Sequence, residues 1–188
     1  MYLFRGERLE KELINKCRAG DAEAFGKVIQ PYRRQLFSYL FRLSRNKMTA
    51  EDLFQETLIR VWKGFKSYNE QNKFSSWLFS IAHNVTIDLL RKPVSKFTDQ
   101  PLESVIGKTN ENEDNPHNTL VAKEVSELVM SAVNELPGRQ KEVFLLRQHS
   151  GMTFKEIATV TNQPLNTVLG HMHYAVSKIR KKMSKEYE

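Results

Sequence analysis

Few residues of this sequence are placed to make or break bonds. Cys17 is the single cysteine, so an internal disulfide and a thiolate zinc cluster are both excluded. His171 and His173 stand two apart. On a helix that is about 200° of rotation, so the two rings cannot share a metal ion. The 8 glycines are scattered and form no loop that would cradle a phosphate. Asp21 with Glu23, and Glu51 with Asp52, read as helix starts, where carboxylates meet unpaired N–H groups. Tyr174 beside His173 has no paired carboxylate in sequence reach. No enzyme activity, no cofactor and no metal site are expected. What remains is recognition chemistry, and it sits in three places.

The first is a helix opening at Thr49-Ala50-Glu51-Asp52, which has the form of a capping box with Asp in the last position. Leu53, Thr57, Leu58, Val61, Trp62 and Phe65 make its apolar stripe, and Asp52, Gln55, Glu56, Ile59 and Lys63 make the opposite face. That face suits plain solvation or a docking protein. Ile59 argues for docking, because solubility does not require it. The second is Phe74-Ser75-Ser76-Trp77-Leu78, which opens a helix running to Lys92 and stopped by Pro93. Phe74, Trp77, Leu78, Ile81, Val85 and Leu89 make its core side, and His83, Asn84, Ile87, Arg91 and Lys92 fall elsewhere. Aromatic rings beside basic residues suit unpaired bases, since every base has a π-face. The same rings also make ordinary core, and spacing leaves both readings open.

The third is a helix-turn-helix pattern. Thr153-Phe154-Lys155-Glu156 is a capping box opening a short helix through Ile157, Ala158 and Val160. Asn162-Gln163 makes the turn, and Pro164 starts a longer helix with the stripe Val168, Met172, Ala175, Ile179 and Met183. Asn166, Leu169, Gly170, His173 and Tyr174 point outward near its start, where such helices meet base edges. Lys178, Arg180, Lys181, Lys182 and Lys185 trail behind and suit phosphate contacts.

Two helical scaffolds must hold these segments. Upstream, Gly20-Asp21 ends one helix and caps the next. Phe25, Val28, Ile29, Tyr32, Leu36, Tyr39, Leu40 and Leu43 then follow helical spacing, with Pro31 as a kink. Downstream, Val125 to Leu136 mark a helix closed before Pro137, and Val143, Phe144, Leu145 and Leu146 give the next one its core before Ser150-Gly151. Residues 93–121 break the pattern. They carry 2 basic and 5 acidic side chains, two further prolines and almost no aromatics, the composition of a linker. The fold expected is all-α: small helical domains at 1–92 and 122–188, joined by an acidic linker at 93–121.

Composition agrees. With 188 residues, 40% hydrophobic and 11 Phe, the chain has the material for a packed core. No apolar run is long enough to cross a membrane. The N-terminus, broken by Arg5, Glu7, Arg8 and Glu10, lacks a signal-peptide core, so a cytoplasmic location is expected. The pI near 9.5 and net charge of +7 make nucleic acid the first candidate partner.

All three of these segments resemble parts of a known family. Ala50-Glu51-Asp52-Leu53-Phe54-Gln55-Glu56-Thr57, Phe74-Ser75-Ser76-Trp77-Leu78, Ile81-Ala82-His83-Asn84 and Arg91-Lys92 look like region two of bacterial RNA polymerase sigma factors. Leu136-Pro137 with Arg139 and Val143, Met152 to Ala158, and Pro164 with Thr167-Val168 look like region four. The middle is too short for a region-three domain, as in the extracytoplasmic-function class. The resemblance implies that Asp52, Gln55, Glu56 and Ile59 dock on the β′ clamp helices of core RNA polymerase. It implies that Lys63, Lys73, Phe74, Trp77, His83, Asn84, Arg91 and Lys92 engage the minus-ten element of promoter DNA. Thr153, Asn166, Thr167, Leu169, Gly170, His173, Tyr174 and Lys178 would then engage the minus-thirty-five element, and an anti-sigma factor is an implied partner. One departure is plain. Leu169 and His171 stand where basic residues are usual, so a bidentate arginine–guanine contact is missing from the first turns. A helix-turn-helix regulator that never joins polymerase remains the alternative, and the acidic face of Asp52 distinguishes the two. A third reading is an interaction protein whose region four mainly binds a regulator.

Overall fold

The computed structural model describes residues 3–69, 73–91, 125–126 and 128–186, with side chains from 11 to 89 and up to 185. The acidic linker at 93–121 and Lys92 lie outside the described residues, as does the side chain of Arg91. Among the described residues there is no strand. The helices are α1 (Leu3–Arg18), α2 (Ala22–Ile29), α3 (Arg33–Ser44), α4 (Lys47–Gly64) with a 3-10 turn at Phe65–Ser67, and α5 (Phe74–Arg91). Then come α6 (residues 128–134), α7 (Gly138–Ser150), α8 (Phe154–Thr161) and α9 (Leu165–Glu186).

Local chemistry sets the boundaries. The Asp21 carboxylate accepts from the backbone N–H of Glu23 at 2.9 Å and of Ala24 at 3.0 Å, capping α2. Pro31 does more than kink the following stretch: α2 ends at Ile29 and α3 begins at Arg33. The next helix also starts earlier than the Thr49 box implies. Asn46 is extended, and its side-chain oxygen accepts from the Thr49 N–H at 3.0 Å. Asn is among the best N-caps, and it takes Thr49 as the third residue of α4.

α3, α4 and α5 pack around Leu36, Tyr39, Leu40, Val61, Phe65, Leu78 and Phe79. α7, α8 and α9 pack around Val143, Leu146, Ile157, Val168 and Ala175. Sequence left open whether the two units meet, and they do: α7 lies on α3 and α5, and α8 lies on α5. The Arg45 guanidinium donates to the Asn134 carbonyl at 2.7 Å, and the Ser75 hydroxyl to the Ser150 carbonyl at 3.0 Å. In the centre, His83 Nε2 faces the Glu142 carboxylate at 3.3 Å, and Arg139 holds its other oxygen at 3.1 Å. The Tyr39 hydroxyl meets His83 Nδ1 at 3.3 Å. The His149 ring stacks on Phe79 at 6.4 Å and 7°.

This packing explains why α5 is more buried than one stripe predicts. Phe79, Ala82, His83 and Thr86 are all buried, because α5 serves two cores.

Candidate protein and nucleic-acid interfaces

On α4, Asp52 and Gln55 are exposed, Glu56 is half-buried, and Ile59 keeps 48% of its surface in water. Glu56 is not idle: it accepts from Arg60 Nε at 2.7 Å, and Arg60 also reaches Asp88 of α5 at 3.2 Å. Met48, 72% exposed, lies one turn before Asp52. Positions 48, 52, 55 and 59, at steps of four, three and four, form one lane of the helix. Sequence reading missed Met48, although its spacing was the available signal. Beside the lane runs a groove lined by Arg33, Phe37, Phe54 and Leu58. Its floor is set by Phe37 edge-on to Phe54, with the Arg33 guanidinium 5.6 Å over the Phe54 ring. The lane sets two exposed apolar side chains, Met48 and Ile59, around an acid and an amide.

On α5 the sequence-derived set divides. Phe74 is 2% exposed, stacked on Phe65 at 5.8 Å and tilted against Tyr32 at 5.4 Å, so it is core. His83 is 3% exposed and faces Glu142, so it cannot meet DNA in this packing. Trp77 is half-buried on Phe65, Tyr68 and Phe74, at 5.5, 4.7 and 5.8 Å. Gly64 makes room for it, since a Cβ there would sit 3.0 Å from Trp77 Cζ2. Asn84 is exposed, and it shares with Trp77 and position 91 a lane at steps of seven. Lys63 and Lys73 are exposed on either side of that junction. The structure thus gathers Trp77, Asn84 and the register position of Arg91, and withdraws Phe74 and His83.

In the helix-turn-helix, Thr153 caps α8. Its N–H and hydroxyl donate to Glu156 at 2.6 and 2.8 Å, and the Glu156 N–H returns a bond to its hydroxyl at 3.2 Å. Burial alone would raise the Glu156 carboxyl. The Thr153 hydrogen bonds and the charge of Lys73 outweigh it and hold the group below the ordinary carboxylate value. Thr153→Ala should therefore lower stability by about 1 kcal/mol, read as a reduced melting temperature at neutral pH. The turn is closed by Asn162 in the left-handed region at φ 52°, and by the Gln163 N–H on the Ala158 carbonyl at 3.0 Å. On α9, Asn166, Thr167, Leu169, His173, Tyr174 and Lys178 are all exposed, and Gly170 lies among them. Lys182 instead turns back to Ser131 of α6 and to Glu135 just after it. Among the described residues no cluster of His, Cys, Asp and Glu could hold a metal, and no helix is long and apolar enough to cross a membrane.

Residues 28–94 match sigma-70 region 2, and residues 126–182 match sigma-70 region 4. The chain is similar to the ECF RNA polymerase sigma factor SigW of Bacillus subtilis, 28% identical over 94% of this chain and 98% of that one. It is also similar to the ECF RNA polymerase sigma-E factor of Haemophilus influenzae, 26% identical over 93% and 95%. Its fold is similar to that of the sigma factor RpoE solved in complex with the anti-sigma factor NepR from Bartonella quintana. The TM-score there is 0.61 at 19% identity, over 87% of this chain and 98% of that one.

Proposed function

Because the chain belongs to the sigma-70 family of RNA polymerase sigma factors, in its extracytoplasmic-function class, we propose that it is a promoter-recognising subunit of bacterial RNA polymerase, working in the cytoplasm. Region 2 and region 4 in that order on one chain carry this reading. The α4 lane of Asp52, Gln55 and Ile59 supports docking on the β′ clamp helices. Trp77, Asn84, Lys63, Lys73 and Arg91 are the residues proposed for the minus-ten element. The outward face of α9 is proposed for the upstream element.

The chemistry is binding rather than bond-making. Opening a duplex costs a few kcal/mol per unstacked base. Base stacking on an aromatic returns about 1–3 kcal/mol, and phosphate contacts and polymerase binding supply the rest. Trp77, backed by Phe65, Tyr68 and Phe74, is the half-exposed ring suited to that stacking. An anti-sigma factor is the regulator proposed for the chain.

The test is reconstitution with core polymerase. Tight binding and transcription from defined start sites are expected. Retained DNA binding without any polymerase binding would defeat the proposal and return an ordinary helix-turn-helix regulator.

A further inference from the structure

Gly170 is an anomaly of α9. It stands inside a 22-residue helix, where glycine costs about 1 kcal/mol relative to alanine. Among the described residues nothing requires it, since a Cβ at this position would meet nothing within 4 Å beyond its chain neighbours and its own stretch of helix backbone. Its backbone is helical, so no left-handed turn explains it either. Gly26 of α2 is equally open, so open space alone does not set Gly170 apart; its place on the outward face of the helix-turn-helix does, because there a missing side chain lets an outside surface approach α9 closely. By helical register Gly170 lies near the centre of the face opposite Val168, Ala175 and Ile179, which are buried. Asn166 lies one turn before it, His173 and Tyr174 one turn after, and Leu169 at its side, all exposed.

The side chains around Gly170 also have a definite chemistry. No Lys or Arg occurs between Leu165 and Ser177, and the cations begin at Lys178. Guanine is read in the major groove chiefly by Arg or Lys on its O6 and N7. Adenine is read by an Asn or Gln amide on N6 and N7, and thymine by apolar contact with its methyl. The groove is about 12 Å wide, and a helix with its side chains is about 10–12 Å across. A missing side chain at the centre lets such a helix sit deeper.

We propose that Gly170 seats α9 close against the bases of the upstream element, and that Asn166 and Leu169 read A·T pairs there, adenine by the amide and the thymine methyl by the leucine. This rests on the promoter-recognition reading above and adds to it a base preference and the residues that set it. Lys178 and Lys181, further along α9 and exposed, hold phosphates without sequence choice.

The experiment uses the full chain reconstituted with core polymerase, on a promoter library randomised only across the upstream element. Sequencing of the transcribed templates should show adjacent upstream positions enriched in A·T. Asn166→Ala and Leu169→Ala should each erase the preference at one position, with the downstream element and start site unchanged. Gly170→Ala should melt at the same temperature or higher, because the added methyl meets open space and favours helix. It should nonetheless weaken upstream selection roughly tenfold. Enrichment of guanine at these positions, or unchanged selection by the Gly170→Ala holoenzyme, would overturn the inference while leaving the initiating role intact. Transcription from no template at all would overturn both.

Discussion

The combined substitution Asp52→Ala, Gln55→Ala, Glu56→Ala should leave a folded chain that no longer binds core RNA polymerase. The fold is protected because the three side chains lie outside the α4 core, where Leu53, Thr57 and Val61 are buried. Losing Glu56 removes an exposed pair with Arg60, a cost below about 1 kcal/mol. Arg60 keeps Asp88 at 3.2 Å, so α4 stays tied to α5. Binding is another matter. Only a few residues of an interface are hot spots, costing about 2 kcal/mol or more when truncated, and two such among the three would remove about 4 kcal/mol, at about 1.4 kcal/mol per tenfold in affinity. Loss of roughly hundredfold to thousandfold is therefore expected, read by titration of labelled polymerase, with a circular-dichroism melt as the folding control. A variant that melts like the parent and binds as tightly would refute the docking assignment. Met48→Ser should give a smaller loss in the same assay, because Met48 is an exposed apolar side chain on the same lane.

The sequence exposed the helices, most caps and the helix-turn-helix, because those signals are local: a period, a proline, a capping box. Thr153 with Glu156 is the clearest case, and the structure forms both reciprocal bonds. Contacts between residues far apart in sequence were hidden from the same reading. His83 looked polar and available on α5, but α7 covers it with Glu142, a partner 59 positions away. No periodicity reveals that a helix face opposite one core will be taken by a second. Phe74 was ambiguous for a related reason: an aromatic at a helix start packs or stacks equally well. Phe65 and Tyr32 decide for packing. Asn46 was missed as a cap because Thr49 had the more familiar motif. Gly170 was visible as a residue but not as an anomaly, since only coordinates show that its missing side chain leaves empty space.

Acidification should loosen the packing of α7 on α3 and α5, and His149 is the group responsible. Its ring lies flat on Phe79 and edge-on to Tyr39 at 6.3 Å, and its Nε2 is buried without a hydrogen-bond partner among the described residues. Burial first, and the nearby Arg42 guanidinium second, push the imidazole from 6.5 down to about 4. The sign follows. Above pH 6.5 the ring is neutral whether the units are packed or apart, and the packing has its full strength. As pH falls toward about 4, the separated form takes the proton first, so packing weakens, by a limit on the order of 3 kcal/mol. The other groups facing this interface act differently. Lys141, held to about 8 by burial and then by Arg45 and Arg42, is charged throughout that window. Burial and then Glu142 push the Tyr39 hydroxyl well up, so it stays neutral. His83 already faces an acceptor, the Glu142 carboxylate at 3.3 Å. Among the described residues His149 Nε2 has no such acceptor, so His149 sets the direction. Small-angle scattering should show the radius of gyration rising as pH is lowered from about 7.5 to 4.5. The His149→Phe variant, which keeps a ring on Phe79 and has nothing to protonate, should stay compact further into acid. Equal expansion of the two proteins would place the acid sensitivity elsewhere.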